Sequence, residues 1–152
     1  MIKKILTYPQ DKEILTTASQ YVKDINSDYT KEVIKDLKDT LDANPGGVGI
    51  SAIQIGIPLR ICLIKYGKNI TMINPEITWK RSGKSGIKTF KEGCLSAPGV
   101  YAMVERAQKV TCKYYDENGN EQEISEGGWI SVIIQHELDH FDGRCEVFDS
   151  IK

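Results

Sequence analysis

An α+β fold is predicted for this 152-residue chain: small mixed or antiparallel β-sheets packed around a late helix, with one amphipathic helix nearer the N-terminus. Three observations predict it. Apolar residues recur at helical spacing over residues 30–43, short strand-like runs fill residues 48–124, and a second helical pattern follows them. That last helix carries Gln135-His136-Glu137-Leu138-Asp139-His140, which contains both histidines of the chain.

The N-terminal Met1-Ile2-Lys3-Lys4-Ile5-Leu6 lacks a sustained apolar run, so neither a signal peptide nor a membrane span is expected there. In the first helix Val33, Ile34, Leu37 and Leu41 form one stripe, Thr30 is the expected N-cap, and Asn44-Pro45-Gly46-Gly47 stops it. Strands are expected over residues 60–66 and 70–74. Residues 109–115 and 122–124 flank Asn118-Gly119, the signature of a hairpin turn. The late helix opens near Gly127-Gly128 and carries Ile130, Ile133, Ile134 and Leu138 towards Gly143.

The length suits one domain, residues 1–152, able to bury a core without disulfides. With 20 basic and 21 acidic side chains, no nucleic acid or membrane surface is implied as a partner. The four cysteines, Cys62, Cys94, Cys112 and Cys145, show neither C-x-x-C pairing nor a disulfide framework, which suits a reducing cytoplasm.

The H-E-x-x-H spacing puts His136 and His140 one turn apart on one helix face, where they can share a metal ion. Glu137 is placed to act as a base on a water at that ion. A catalytic tetrahedral site needs a third protein ligand. No third histidine exists, and only 12 residues follow His140, too few to bring an acidic residue round on another helix. The ligand is therefore expected from upstream. Cys94, within Glu92-Gly93-Cys94-Leu95-Ser96, is the choice over Cys62 and Cys112, which sit in apolar strand patterns; Cys145 is its competitor. Gly47-Val48-Gly49-Ile50-Ser51-Ala52-Ile53-Gln54 is a second segment whose small residues allow close approach of backbone or ligand.

Taken in order, the three segments resemble the motifs of the peptide deformylases, G-x-G-x-A-A-x-Q, E-G-C-x-S and Q-H-E-x-D-H. Ile5-Leu6-Thr7-Tyr8-Pro9 also resembles that family's N-terminal entry. Ser51 departs from the usual alanine. The resemblance is to short, phage-type members without the C-terminal helix thought to help ribosome docking, so proximity to the ribosome would lack that contact.

The resemblance implies a hydrolase that removes the formyl group from the formyl-methionine of nascent chains, releasing formate, in a bacterial or phage-infected cytoplasm. It implies one divalent ion per chain on Cys94, His136 and His140, Fe(II) in the cell, with Zn(II), Ni(II) or Co(II) able to occupy the same donors. Glu137 is then the general base and acid, while Gln54 and the backbone N–H of Leu95 stabilise the oxyanion. Glu92 and Arg106 pair to brace the Cys94 loop, joined by Gln135. Val48, Gly49, Phe90, Trp129, Val132 and Ile133 line the slot for the first side chain, and Gly49 leaves backbone free to pair with an extended peptide. Two rival readings are a zinc endopeptidase of the H-E-x-x-H kind and a non-catalytic domain held by its metal, with Cys145 as a fourth ligand.

Overall fold

The computed structural model describes residues 1–81 and 83–151; Ser82 and Lys152, both inside the expected domain, lie outside the described residues. Three α-helices, α1 (Lys12–Leu15), α2 (Asp28–Asp42) and α3 (Gly128–Phe141), accompany seven strands. The strands are β1 (Gly49–Ser51), β2 (Ile61–Tyr66), β3 (Lys68–Lys80), β4 (Ile87–Gly93), β5 (Tyr101–Ala107), β6 (Lys109–Tyr115) and β7 (Glu121–Gly127). They form a five-stranded sheet, ordered β1-β2-β3-β6-β7, and a two-stranded β4-β5 ribbon. Every strand pair is antiparallel; the parallel element among the described residues is an isolated bridge between Gln20 and Leu59.

Strand β2 explains how the sheet is covered. Its Ile61, Cys62, Leu63 and Ile64 are all buried, as expected of a strand with both faces packed. Ile61 and Leu63 join a core with Ile50, Ile73 and the α2 stripe Val33, Ile34, Leu37 and Leu41. Cys62 and Ile64 join a second core with Met72, Val110 and Cys112 beneath Ile130, Ile134 and Phe141 of α3. The sheet is thus sandwiched between the two long helices. Helix α3 is buried on nearly every side, which suits its mostly apolar first two turns.

Helix α2 starts two residues before the expected position. Ser27, not Thr30, is its N-cap: the Ser27 hydroxyl accepts the Thr30 N–H at 3.1 Å, while the Thr30 hydroxyl donates to the Asp24 carbonyl. Strand β3 also outruns the expected 70–74. A register shift between Ile73 and Glu76 absorbs Pro75, and Asn74, at φ 51°, turns its amide to both backbone groups of Val22. The hairpin forms as expected, β6 pairing with β7 around a turn closed by the Gly119 N–H on the Asp116 carbonyl. Helix α3 ends at Gly143, whose φ of 72° lets its N–H reach the His140 carbonyl and that of Arg144 reach Asp139.

Candidate metal centre and cleft

Three pieces of chain converge at the α3 face nearest β1. Strand β1 and the 3-10 turn after it (Ala52–Ile55) bring Ser51 and Gln54, the end of β4 brings Glu92 and Cys94, and α3 brings His136, Glu137 and His140. The ligand atoms of Cys94, His136, His140 and Cys145 all lie within 4.8 Å of one another. The expected donors therefore meet in space, and Cys145 joins them as a fourth from the start of the 3-10 turn Glu146–Ser150.

These donors fit a divalent transition metal. Two imidazoles and thiolate sulfur are the ligand types that zinc and late first-row ions favour. His140 Nε2 lies 3.5 Å from the Cys94 sulfur, and burial pushes this imidazole well below its ordinary pKa, so its lone pair stays available. Among the described residues its Nδ1 is buried with no hydrogen-bond partner. In His136 burial disfavours the imidazolium, but the Glu92 carboxylate 2.9 Å from Nδ1, with the charges of Glu137 and Cys145, outweighs it and carries the pKa up to about 9. An ion must displace that proton, and Glu92 then fixes which ring nitrogen faces the donors. The two sulfurs hold protons unequally: the neighbouring Cys145 sulfur, together with burial, pushes the Cys94 thiol well up, whereas Cys94 holds Cys145 down.

Glu137 is buried, and burial raises its pKa against the opposing pull of His136 and of the Ser51 hydroxyl, 2.9 Å from Oε1. Gly49 lies so close that a Cβ there would fall 2.7 Å from Glu137 Oε2 and 3.2 Å from Ile133 Cγ2. Glycine is needed for that approach, not for an unusual φ. The Gln54 carbonyl accepts the Ser51 N–H at 2.9 Å, and its NH₂ reaches Ser96 Oγ at 3.0 Å and the Cys94 sulfur at 3.5 Å. Among the described residues the Leu95 N–H makes no backbone hydrogen bond.

Behind the donors, Arg106 grips Glu92 through two bonds of 2.7 and 2.9 Å and reaches Asp139 at 2.6 Å. Burial opposes its charge, but the two carboxylates hold its pKa above the ordinary arginine value. Glu92 is lowered in turn, as Arg106 and His136 overcome its desolvation. Asp139 is the partner that sequence reasoning missed, although its place three residues after His136 puts it on a neighbouring face of α3. Gln135 does not join this group. Its amide pairs with the N–H and C=O of Ala107, at 3.0 and 2.8 Å, and so clamps β5 onto α3.

Cys94, His136 and Glu137 line a cleft of about 750 Å³. Val48, Gly49, Trp129, Val132 and Ile133 line it as expected, opposite a wall from Pro98 to Tyr101. Phe90 does not line it; it packs edge-on against Trp129, ring centroids 5.3 Å apart. Strand β1 is the last strand of its sheet, so its outer edge runs along the cleft with no strand beside it. No helix among the described residues is long and apolar enough to cross a membrane.

Known proteins share this fold. The model of the polypeptide deformylase family matches residues 2–151. The peptide deformylase of Syntrophomonas wolfei is 38% identical over 143 residues, spanning 93% of this chain and 89% of that protein. That of Endomicrobium trichonymphae is 41% identical over 134 residues, 86% and 76% of the two chains. Among solved structures, the Legionella pneumophila peptide deformylase superposes with a TM-score of 0.88 at 38% identity, over 100% of this chain and 87% of that one. The Ehrlichia chaffeensis peptide deformylase in complex with actinonin does so with 0.89 at 31% identity, over 99% and 89%. The chain belongs to the polypeptide deformylase family, metal-dependent enzymes that remove the N-formyl group from nascent polypeptides.

Proposed function

We propose that Cys94, His136 and His140 hold one divalent ion, Fe(II) in the cell, and that Glu137 beside it deformylates N-terminal formyl-methionine. The observation that carries this reading is the meeting of those three donors with a buried carboxylate beside an apolar cleft. Zn(II), Ni(II) and Co(II) suit the same donors. An open coordination position requires that Cys145 stay off the ion. When bound, the ion supplies Lewis-acid polarisation of the formyl carbonyl and a water acidic near neutrality.

The chain's own residues do the rest. Glu137 takes the proton of the attacking water and passes it to the amide nitrogen as the C–N bond breaks, giving formate and a free amine. The Gln54 NH₂ and the Leu95 N–H aim at the oxygen that becomes negative, donors of a kind worth about 2.7–4 kcal/mol in barrier height. Val48, Trp129, Val132 and Ile133 offer an unbranched apolar side chain an apolar slot, while the free edge of β1 at Gly49 pairs with the extended backbone behind it. Glu92, Arg106 and Asp139 keep His136 and the Cys94 loop in register. The proposed setting is the cytoplasm, with nascent chains as the partner.

Formate release from formyl-Met-Ala-Ser by metal-loaded protein, without oxygen, is the test. Glu137→Gln should keep full metal content and lose about 10³-fold or more in kcat, the range expected when a general base is removed. A fully loaded wild-type chain that releases no formate would end the reading.

A further inference from the structure

The second sulfur at the centre has no task in deformylation. Cys145 is buried beside Cys94 in a small apolar cluster with Leu15, Ala97, Val147 and Phe148. Cys94 lines the cleft and Cys145 does not, so a small reagent entering from solvent meets Cys94 first with Cys145 behind it. All four cysteines are free thiols, and the two sulfurs lie within 4.8 Å. Reaching the bonded distance asks each pair of side chains to close by no more than about 3 Å. The two residues sit on separate segments, just after β4 and just after α3.

We propose that Cys94 and Cys145 form a reversible disulfide, Cys94 meeting a peroxide in the cleft and Cys145 resolving the product. As the Cys94 sulfur attacks one peroxide oxygen, the O–O bond breaks, the Cys94 thiol proton passes to the departing hydroxide, and sulfenic acid and one water form. The Cys145 sulfur then attacks the Cys94 sulfur, the S–O bond breaks, and a second water leaves with the remaining thiol proton. One peroxide is reduced and two thiols are oxidised; a dithiol reverses the bond by exchange. A sulfenic acid with no neighbouring thiol goes on to sulfinic and sulfonic acids, which a dithiol does not reduce. Cys145 therefore turns an irreversible loss of Cys94 into a recoverable one. The effect on catalysis rests on the reading of Cys94 as a metal donor; the disulfide itself does not.

The test treats full-length protein, Co(II)-loaded and after chelation, with hydrogen peroxide. Two of its four thiols should disappear, the mass should fall by about 2 Da, and peptide mapping should join Cys94 to Cys145. Co(II) binding should be lost and then return almost fully on dithiothreitol. Cys145→Ser should gain oxygen at Cys94 and recover no more than about a tenth of its own starting Co(II) binding afterwards. Mapping on the wild-type chain decides the matter even if that variant misfolds. Oxygenated Cys94 in the wild type, a bond between other cysteines, or a Cys145→Ser chain that folds yet cannot take up Co(II) would overturn the proposal. Absent formate release with the Cys94–Cys145 bond still forming would sink the deformylase reading alone.

Discussion

The hydroxyl of Ser51 donates to Oε1 of Glu137 across 2.9 Å, in a setting where the carboxylate has lost nearly all contact with solvent. The peptide deformylase motif has alanine at this position, so the chain supplies a hydrogen bond that the usual residue cannot. Its consequence follows from the sign of each effect. Burial raises the Glu137 pKa, whereas the Ser51 bond lowers it by favouring the ionised form. Ser51→Ala should therefore move the acid limb of the kcat/KM profile to higher pH. Near neutrality kcat should fall about fivefold, the equivalent of one net hydrogen bond, with KM little changed. A pH series on a formylated peptide checks this, and an unmoved acid limb would show that Ser51 does not tune the base.

Much of this centre was legible because its residues are few and chemically distinctive. Two histidines at helical spacing and one glycine-flanked cysteine leave little choice of donors once a third ligand is required. The α2 stripe was equally plain, since four apolar residues at helical spacing point at one core. What stayed hidden depends on long-range packing. The Glu92–Arg106 pair is expected from the resemblance, but its third member, Asp139, emerges only once β5 is placed beside α3, and Gln135 reads as part of the centre until Ala107 is seen to claim its amide. Phe90 is apolar and near the right segment, but it packs edge-on against Trp129 instead of lining the cleft. The β3 bulge at Asn74-Pro75 was invisible locally, because its compensation comes from Val22, distant in sequence.

The Glu92–Arg106–Asp139 group is a largely buried ion-pair network, and removing its centre takes the arginine from both carboxylates. Arg106→Ala should cost about 3–5 kcal/mol of stability, a large share of what a domain of this size commands. Arg106→Lys should also be destabilising, because an ammonium cannot reproduce the two-pronged grip on Glu92. Asp139→Asn should cost less, since that side chain is 21% exposed. Urea unfolding of the four proteins gives the order directly. An Arg106→Ala chain within about 1 kcal/mol of wild type would mean that the network contributes little.

The same network sets a direction for acid unfolding. Glu92 is held below its ordinary carboxyl value in the folded chain, so the unfolded state takes up its proton first as pH falls. The stabilisation from Glu92 is thus complete above the unfolded pKa near 4.5 and is lost as pH drops through the lower folded value. Glu92→Gln should flatten the stability curve across that acidic window while lowering stability at neutral pH. Thermal melts from pH 3 to 7 compare the slopes. Equal slopes in the two proteins would remove Glu92 as a source of acid sensitivity.

Gly49 gives the sharpest separation of chemistry from folding. A methyl group there would lie 2.7 Å from Glu137 Oε2 and 3.2 Å from Ile133 Cγ2, inside van der Waals contact with both. The carboxylate is the softer neighbour, but Ser51 holds its other oxygen and the surrounding core leaves it little room to retreat. Gly49→Ala should displace the base from its position beside the metal donors while leaving those donors untouched. Metal content should match wild type and kcat should fall about 10²-fold, the cost of misplacing a reacting group by around an ångström. Elemental analysis and steady-state rates on one preparation make the comparison. Retained turnover would show that Glu137 can shift without penalty, and lost metal would show that the strain passes along α3 to His136 instead.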